Sequence, residues 1–186
     1  MRIIGGRAGG LRLHPPTHLP VRPTTDLAKE ALFNILTNRL DFQGLCCLDL
    51  FAGTGNVAFE LASRGAKQVT AVDLHGRCVQ YIKQTSQQIP LPEVHAKKAD
   101  VFRFIRSTSD TFDLIFADPP YDLNELPDLA SRILAEQLLK PEGWLIVEHP
   151  TSRKLRAHPN LTETRSYGSC SFSFYRSFPS PPDEQR

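Results

Sequence analysis

Between Leu45 and Glu148 the chain alternates short, mostly apolar runs with segments of helical spacing, and this alternation limits the possible folds more than any other feature. The runs are Leu45 to Phe51, Val69 to Asp73, Val94 to Lys98, Phe112 to Ala117 and Trp144 to Glu148. Each is too short for a stable helix, so each is predicted to be a strand. Val94 to Lys98 is partly polar and is expected nearer an edge. Asn56 to Arg64, His75 to Gln88, Val101 to Arg106 and Leu126 to Leu139 carry helical patterns between the strands. Gly65 is placed to cap the first of these helices, and Pro141-Glu142-Gly143 to stop the last. Strands separated by helices mean βαβ units, right-handed crossovers and a mostly parallel sheet.

Both ends of the chain break the pattern. Leu161 to Tyr167 and Ser171 to Phe178 flank Gly168-Ser169 and are predicted to form an antiparallel hairpin at the sheet edge. Phe172, Phe174 and Phe178 alternate with other residues there, so one face should be buried. Pro179 to Arg186 is expected to fray. At the start, Arg2-Ile3-Ile4 and Leu11-Arg12-Leu13 are predicted to be short strands joined through glycine pairs. A proline-rich linker, Pro15 to Pro23, leads to Thr24-Thr25-Asp26, which should cap a helix running to about Arg39. The expected division is therefore an extension over 1–40, a core over 41–178 and a tail over 179–186.

The 186 residues suffice for one ordinary domain with a substantial core. No apolar run approaches the roughly 20 residues that span a bilayer, and Met1 to Gly6 lacks a signal-peptide core, so a cytoplasmic protein is expected. Cys46 and Cys47 are adjacent in a predicted strand and point to opposite faces, while Cys78 and Cys170 are isolated. This spacing suggests no zinc or other metal site. The net charge of +2 is unevenly spread. Arg2, Arg7, Arg12 and Arg22 occupy the first 25 residues without an acid, and residues 151–178 hold five bases against Glu163 alone. If these ends meet, they make a cationic rim suited to a phosphate backbone.

Asp49 to Gly55 joins the first core strand to its helix, and its glycines allow close approach of a ligand to the backbone. Asp73 ends the next strand about 20 residues later, where a carboxylate can accept ribose hydroxyls. Asp100 followed by apolar Val101 could hold and cover an adenine. Gly53-Thr54-Gly55-Asn56-Val57-Ala58 also fits the G-x-G-x-x-A pattern of nicotinamide or flavin enzymes. Asp49 argues against a pyrophosphate there and in favour of a cation, such as the ammonium of S-adenosylmethionine. Asp118-Pro119-Pro120-Tyr121 follows the strand ending at Ala117, at the sheet edge where ligands bind. Two acceptors and an aromatic ring on a stiff turn suit a planar group bearing an NH₂, such as a nucleobase.

On these residues the chain resembles the bacterial 16S ribosomal RNA guanine-N2 methyltransferases of the small subunit. The likeness runs through Arg2-Ile3-Ile4-Gly5-Gly6, Leu13, Arg22 to Asp26, Glu30 to Leu36, Leu48 to Gly55, Ser63 to Ala66, Asp118 to Tyr121 and Glu148-His149. It departs at Gly9 and Leu27, where arginines are usual, and at Asp73, where glutamate is usual. The resemblance implies a Rossmann-like α/β methyltransferase fold, mostly parallel with an antiparallel C-terminal hairpin, and a monomeric enzyme acting on an assembled or assembling small subunit. It implies S-adenosylmethionine bound by Asp49, Phe51, Ala52, Gly53, Thr54, Gly55, Asp73, Leu74, Asp100, Val101 and Asp118. Asp118, Pro119, Pro120 and Tyr121 would be catalytic, and Arg2, Arg7, Arg12, Arg22, Thr24 and Lys29 would face RNA.

The expected chemistry is methyl transfer to an exocyclic amine whose lone pair is delocalised into its ring. The Asp118 carboxylate and the Pro119 carbonyl would accept from the amine, and Tyr121 would stack on a looped-out base. With an ordinary carboxyl pKa near 4, Asp118 is expected to accept a proton only once the amine has become cationic. Three rival readings remain open: a DNA adenine-N6 methyltransferase, a nicotinamide oxidoreductase, and a non-catalytic RNA-binding ribosome-assembly protein.

Overall fold

Seven strands form one sheet in the order β3-β2-β1-β4-β5-β7-β6 in a computed structural model that describes residues 1–22 and 24–178. The tail expected to fray, Pro179 to Arg186, lies outside the described residues. The strands are β1 (Cys46–Leu50), β2 (Gln68–Asp73), β3 (Val94–Lys98), β4 (Phe112–Ala117), β5 (Leu139–Pro150), β6 (Leu161–Tyr167) and β7 (Cys170–Arg176). β1 to β5 run parallel, and β7 runs antiparallel between β5 and β6. The parallel part matches the predicted βαβ alternation, and β3 is an edge strand as its polar residues suggested. The order reverses at β1, which pairs with both β2 and β4. That reversal opens a crevice at the strands' C-terminal ends.

The faces follow the two-residue period of the strands. Cys47, Val69, Ala71, Leu114 and Phe116 pack with α1 (Asp26–Thr37), α2 (Asn56–Ser63) and α3 (Gly76–Gln88). Leu48, Leu50, Val72, Ile115 and Ala117 pack on the opposite face with α4 (Val101–Ser107) and α5 (Leu129–Ala135). The result is a three-layer α/β sandwich with a Rossmann-like order.

Three expectations need correction. The helix predicted from Leu126 to Leu139 is instead a 3-10 turn at Leu126–Asp128 followed by the short α5. Gln137 takes a left-handed φ of 54° and ends it early. Pro141-Glu142-Gly143 does not stop a helix but lies inside β5, where the register with β4 shifts between Phe112 and Leu114. Glu142 sits there at φ 62°, so turn-forming residues serve a bulge. Second, β7 is buried on both faces from Cys170 to Tyr175, with Phe172 and Phe174 in one core cluster, Tyr175 in the other, and Ser171 and Ser173 hydrogen-bonded, and Phe178 is exposed beyond it. Third, the N-terminal strands reduce to a single antiparallel bridge, Arg2 with Arg12.

That N-terminal hairpin is nonetheless fixed to the core. Ile3, Ala8 and Leu13 are buried among Phe33, Phe59 and Leu61. The Ser63 carbonyl accepts from the Arg7 N–H at 2.8 Å, and a Cβ on Gly6 would fall 1.9 Å from that oxygen. The Glu60 carboxylate, fully buried on α2, accepts from the Ile4 and Gly5 N–H groups at 2.8 and 2.9 Å. It also pairs with Lys29 of α1 at 3.1 Å and Arg64 at 2.8 Å. These four partners, Lys29 first among them, hold the carboxyl below its usual range despite burial, which acts the other way.

Replacing Glu60 with alanine strands the buried Lys29 ammonium and frees two backbone donors. Loss of one partner of such a pair costs on the order of 3–5 kcal/mol. Urea denaturation of Glu60→Ala should show a loss of that size, and a loss below about 1 kcal/mol would contradict the anchoring role.

Candidate active site

At the crevice β1 gives way to Phe51, which holds a left-handed φ of 59°, rare for a residue with a side chain. Gly53 and Gly55 follow at φ 56° and 79°. A Cβ on Gly55 would come within 3.0 Å of Ile82 and Phe59, so both conformation and space confine this position to glycine. The Gly53 N–H donates to Asp73 Oδ2 and the His75 N–H to Asp73 Oδ1, each at 2.8 Å. Asp73 therefore braces the glycine turn. Each carboxylate oxygen keeps acceptor capacity for a hydroxyl in the cavity it lines.

Asp49 is buried behind the turn and accepts from the Ala58 N–H at 3.0 Å. Burial pushes its carboxyl up to about 8, with Asp73 adding to the rise and the Ala58 hydrogen bond opposing it. Asp100 is an N-cap, accepting from the Arg103 N–H at 2.9 Å, while still lining the cavity beside buried Val101. Phe51, Ala52, Thr54 and Leu74 complete this wall. The sequence-predicted cofactor positions are thus brought together, with the exception of Gly55, which shapes the turn from outside the lining. The cavity holds about 770 Å³, within the range of sites for ligands of nucleoside-cofactor size. A glycine cradle, a hydroxyl-binding acid on β2, a buried acid on β1 and an apolar ledge at Val101 fit S-adenosylmethionine.

The other half of the cavity is built around β4. The Asp118 N–H donates to the Leu50 carbonyl at 3.2 Å, placing the Asp-Pro-Pro-Tyr turn beside the glycine turn. Asp118, Pro119, Pro120 and Tyr121 all line the cavity. Tyr121 donates its hydroxyl to Glu148 Oε1 at 3.2 Å, and the Arg22 guanidinium lies 3.5 Å from its ring centroid. Thr24 Oγ1 lies 3.4 Å from Asp118 Oδ2 and 3.5 Å from Glu148 Oε2. Burial, then the neighbouring Glu148 and Asp49 carboxylates, lift Asp118 well above the usual carboxyl range, against the pull of Arg22 and Thr24. The ordinary carboxyl pKa expected from the sequence does not hold, and Asp118 has the proton affinity of a stronger base.

The RNA-facing set divides. Lys29 is fully buried against Glu60, the Arg2 carbonyl and Asn56, so its ammonium cannot reach a phosphate, which corrects the expectation. Thr24 faces the Asp118 and Glu148 carboxylates, and Arg22 lies over the Tyr121 ring while remaining exposed. Arg7 is exposed but pairs with Glu93 at 2.5 Å, Arg2 lies 3.8 Å from Asp26, and Arg12 is exposed. The two basic ends do meet at Tyr121, where Arg22 covers the ring and Arg153 donates to the backbone carbonyl at 2.7 Å. Three other C-terminal bases, Arg156, Arg165 and Arg176, pair with Asp128, Glu163 and Glu142, which reduces the expected cationic rim.

Two parts of the site escaped the sequence. The proline-rich segment is a wall of the cavity rather than a linker, with Pro15, Pro16, Leu19, Pro20 and Val21 in its lining. Buried Leu19 was the available signal, since a free linker has no use for it. Glu148 was noted only as part of a resemblance; its place next to Tyr121 required the register of β5.

Residues 1–176 match a family model described as conserved hypothetical protein 95. Ribosomal RNA small subunit methyltransferase D of Haemophilus influenzae is 30% identical over 185 residues, covering 95% of this chain and 93% of its own. The solved structure of the yhhF protein of Escherichia coli superposes with a TM-score of 0.83 at 26% identity, over 96% of this chain and 98% of that one. A 16S rRNA N2 methyltransferase of Thermus thermophilus, solved with AdoMet and guanosine, gives a TM-score of 0.69 at 22% identity. That match covers 95% of this chain and 49% of the other, and at this identity it shows the shared fold alone.

The raised Asp49 carboxyl gives a prediction for cofactor binding. Near pH 7 Asp49 is largely protonated in the free protein, and a bound ammonium requires it ionised, so binding should release a proton. Affinity for S-adenosylmethionine should rise with pH up to about 8. Calorimetry in buffers of different ionisation enthalpy should detect the release, and Asp49→Asn should abolish it. Release that persists in this variant would remove Asp49 from the role.

Proposed function

The chain belongs to the conserved hypothetical protein 95 family, and on that basis we propose that it transfers a methyl group to the exocyclic N2 amine of a guanine in 16S ribosomal RNA. Relatives named as small-subunit ribosomal RNA methyltransferases support the RNA substrate, and the family is S-adenosylmethionine-dependent. The observation that carries the chemistry is the Asp-Pro-Pro-Tyr turn lying against the glycine turn in one cavity. The small ribosomal subunit, assembled or assembling, is the proposed partner. Residues 1–40 would form the RNA-facing extension and 41–178 the catalytic core, with Arg12, Arg7 and Arg2 as the outer cations.

When bound, S-adenosylmethionine supplies an electrophilic methyl on a sulfonium. The protein's part is to hold the amine in line and to accept from its hydrogens. The Asp118 carboxylate and Pro119 carbonyl sit on a turn that two prolines stiffen, so these acceptors need no reorganisation during reaction. Tyr121 offers a ring for the base, once Arg22 leaves the face it now covers. The base must be looped out of any helix to enter.

The rivals separate on the product. Unmodified small subunits, free ribosomal RNA and duplex DNA, each incubated with methyl-labelled cofactor and digested to nucleosides, should give labelled N2-methylguanosine from the subunits or their RNA. N6-methyladenosine from DNA, or no transfer at all, would overturn the proposal.

Asp118→Ala should slow single-turnover methylation at saturating S-adenosylmethionine by about 10²-fold or more. Methylation at the wild-type rate by this variant would take Asp118 out of the mechanism.

A further inference from the structure

Glu148 is a buried carboxylate that forms no ion pair among the described residues. It does not line the cavity, yet Tyr121 and Thr24, which its carboxylate touches, both do. Tyr121 donates to one oxygen at 3.2 Å, and Thr24 lies 3.5 Å from the other. Cys170, buried on β7, is among the groups that act on it. Thr24 lies equally close to Asp118, at 3.4 Å. A hydroxyl has one proton to donate, so Thr24 can satisfy only one of the two carboxylates at a time. Arg22, whose charge acts on it, is stacked on Tyr121. A fold that wanted only stability would not bury two acids here around one hydroxyl.

We propose that Glu148 is a positioning residue of the methyl-transfer site, joined to Asp118 through the Thr24 hydroxyl, and that it makes Asp118 the acceptor of the proton shed by the methylated amine. This rests on the reading of Asp118 given above. As the nitrogen lone pair forms the N–C bond, the C–S bond breaks and its electron pair stays on sulfur. The nitrogen then carries a positive charge and two hydrogens. One passes to the Asp118 carboxylate as a proton, and the N–H bonding pair returns to nitrogen. Asp118 is now neutral, so its repulsion with Glu148 ends. Protonated Asp118 can donate to Thr24 Oγ1, which frees the Thr24 proton to turn to Glu148.

The surrounding groups agree with this direction. Asp118 faces Glu148 from β5, Asp49 from β1, and Arg22 and Thr24 from the N-terminal segment. Glu148 faces Tyr121, Arg22, Thr24 and Cys170, and burial lifts its own carboxyl. Two acids outweigh one arginine at Asp118, which favours the proton-bound form after transfer.

The test is the pH profile of single-turnover methylation of unmodified small subunits. Glu148→Gln keeps the shape and one of the two acceptor oxygens, enough for the Tyr121 hydroxyl, but removes the charge and turns the other oxygen into an NH₂ donor. Its acidic limb should move down by about one pH unit or more, because Asp118 loses its like-charged neighbour. Its plateau should fall about threefold or more, with the half-saturating subunit concentration unchanged, because a weaker base then sits at the amine. Thr24→Val should lower the plateau and Thr24→Ser should restore it. A Glu148→Gln protein that binds S-adenosylmethionine normally and keeps the wild-type limb and plateau overturns the proposal. If Glu148→Gln fails to bind cofactor, the Thr24 pair decides, and a wild-type profile for Thr24→Val overturns it. Wild-type methylation by Asp118→Ala would instead strike the reading beneath, so the two failures are distinguishable.

Discussion

The buried Glu60 carboxylate is the contact on which the arrangement of this molecule depends. It gathers two backbone N–H groups from the first hairpin, the ammonium of Lys29 on α1 and the guanidinium of Arg64 on one helix surface. A charge taken out of water needs its full set of partners, and here the partners come from three separate parts of the chain. With the hairpin and α1 fixed at this point, the segment from Leu13 to Thr24 has both ends tied. It can only cross the open end of the sheet. The crossing supplies the wall of the cavity and delivers Arg22 and Thr24 to the acids of β4 and β5.

The electrostatics of the cavity have one theme. Asp49, Asp73, Asp118 and Glu148 cluster at the C-terminal ends of neighbouring strands, in a setting that raises Asp49, Asp118 and Glu148. A cationic cofactor answers the first end of this cluster, and an amine that becomes cationic during reaction answers the other. Water screens neither interaction well at such burial. The same acids that would be a liability in an empty core become useful when their ligands carry the opposite charge.

The inner strands of the βαβ core were legible because burial on both faces leaves near-continuous apolar runs, and β4 matched its predicted limits residue for residue, as did the two edge strands, β3 and β6. The glycine turn and the Asp-Pro-Pro-Tyr turn were legible because the chemistry is local in sequence. Legibility failed where tertiary context changed a residue's task. Lys29 has the look of a surface base until Glu60 is found beneath it. Pro141 to Gly143 carries turn chemistry that the sheet uses as a bulge. Thr24 and Glu148 are ordinary residues in sequence whose meaning comes from contact over a separation of 124 positions.

That separation has a consequence for how the molecule comes into being. Contacts so distant in sequence carry a large loop-closure cost and form late, after the local helices and adjacent strand pairs. Synthesis delivers residues 1–24 long before β5 exists, so the early segment must wait for its partners. The catalytic half of the cavity therefore has no partial version: a nascent or truncated chain that has built β1 to β4 can hold a glycine turn, but it lacks the floor under Tyr121. The site therefore needs the sheet built at least as far as β5, the strand that carries Glu148.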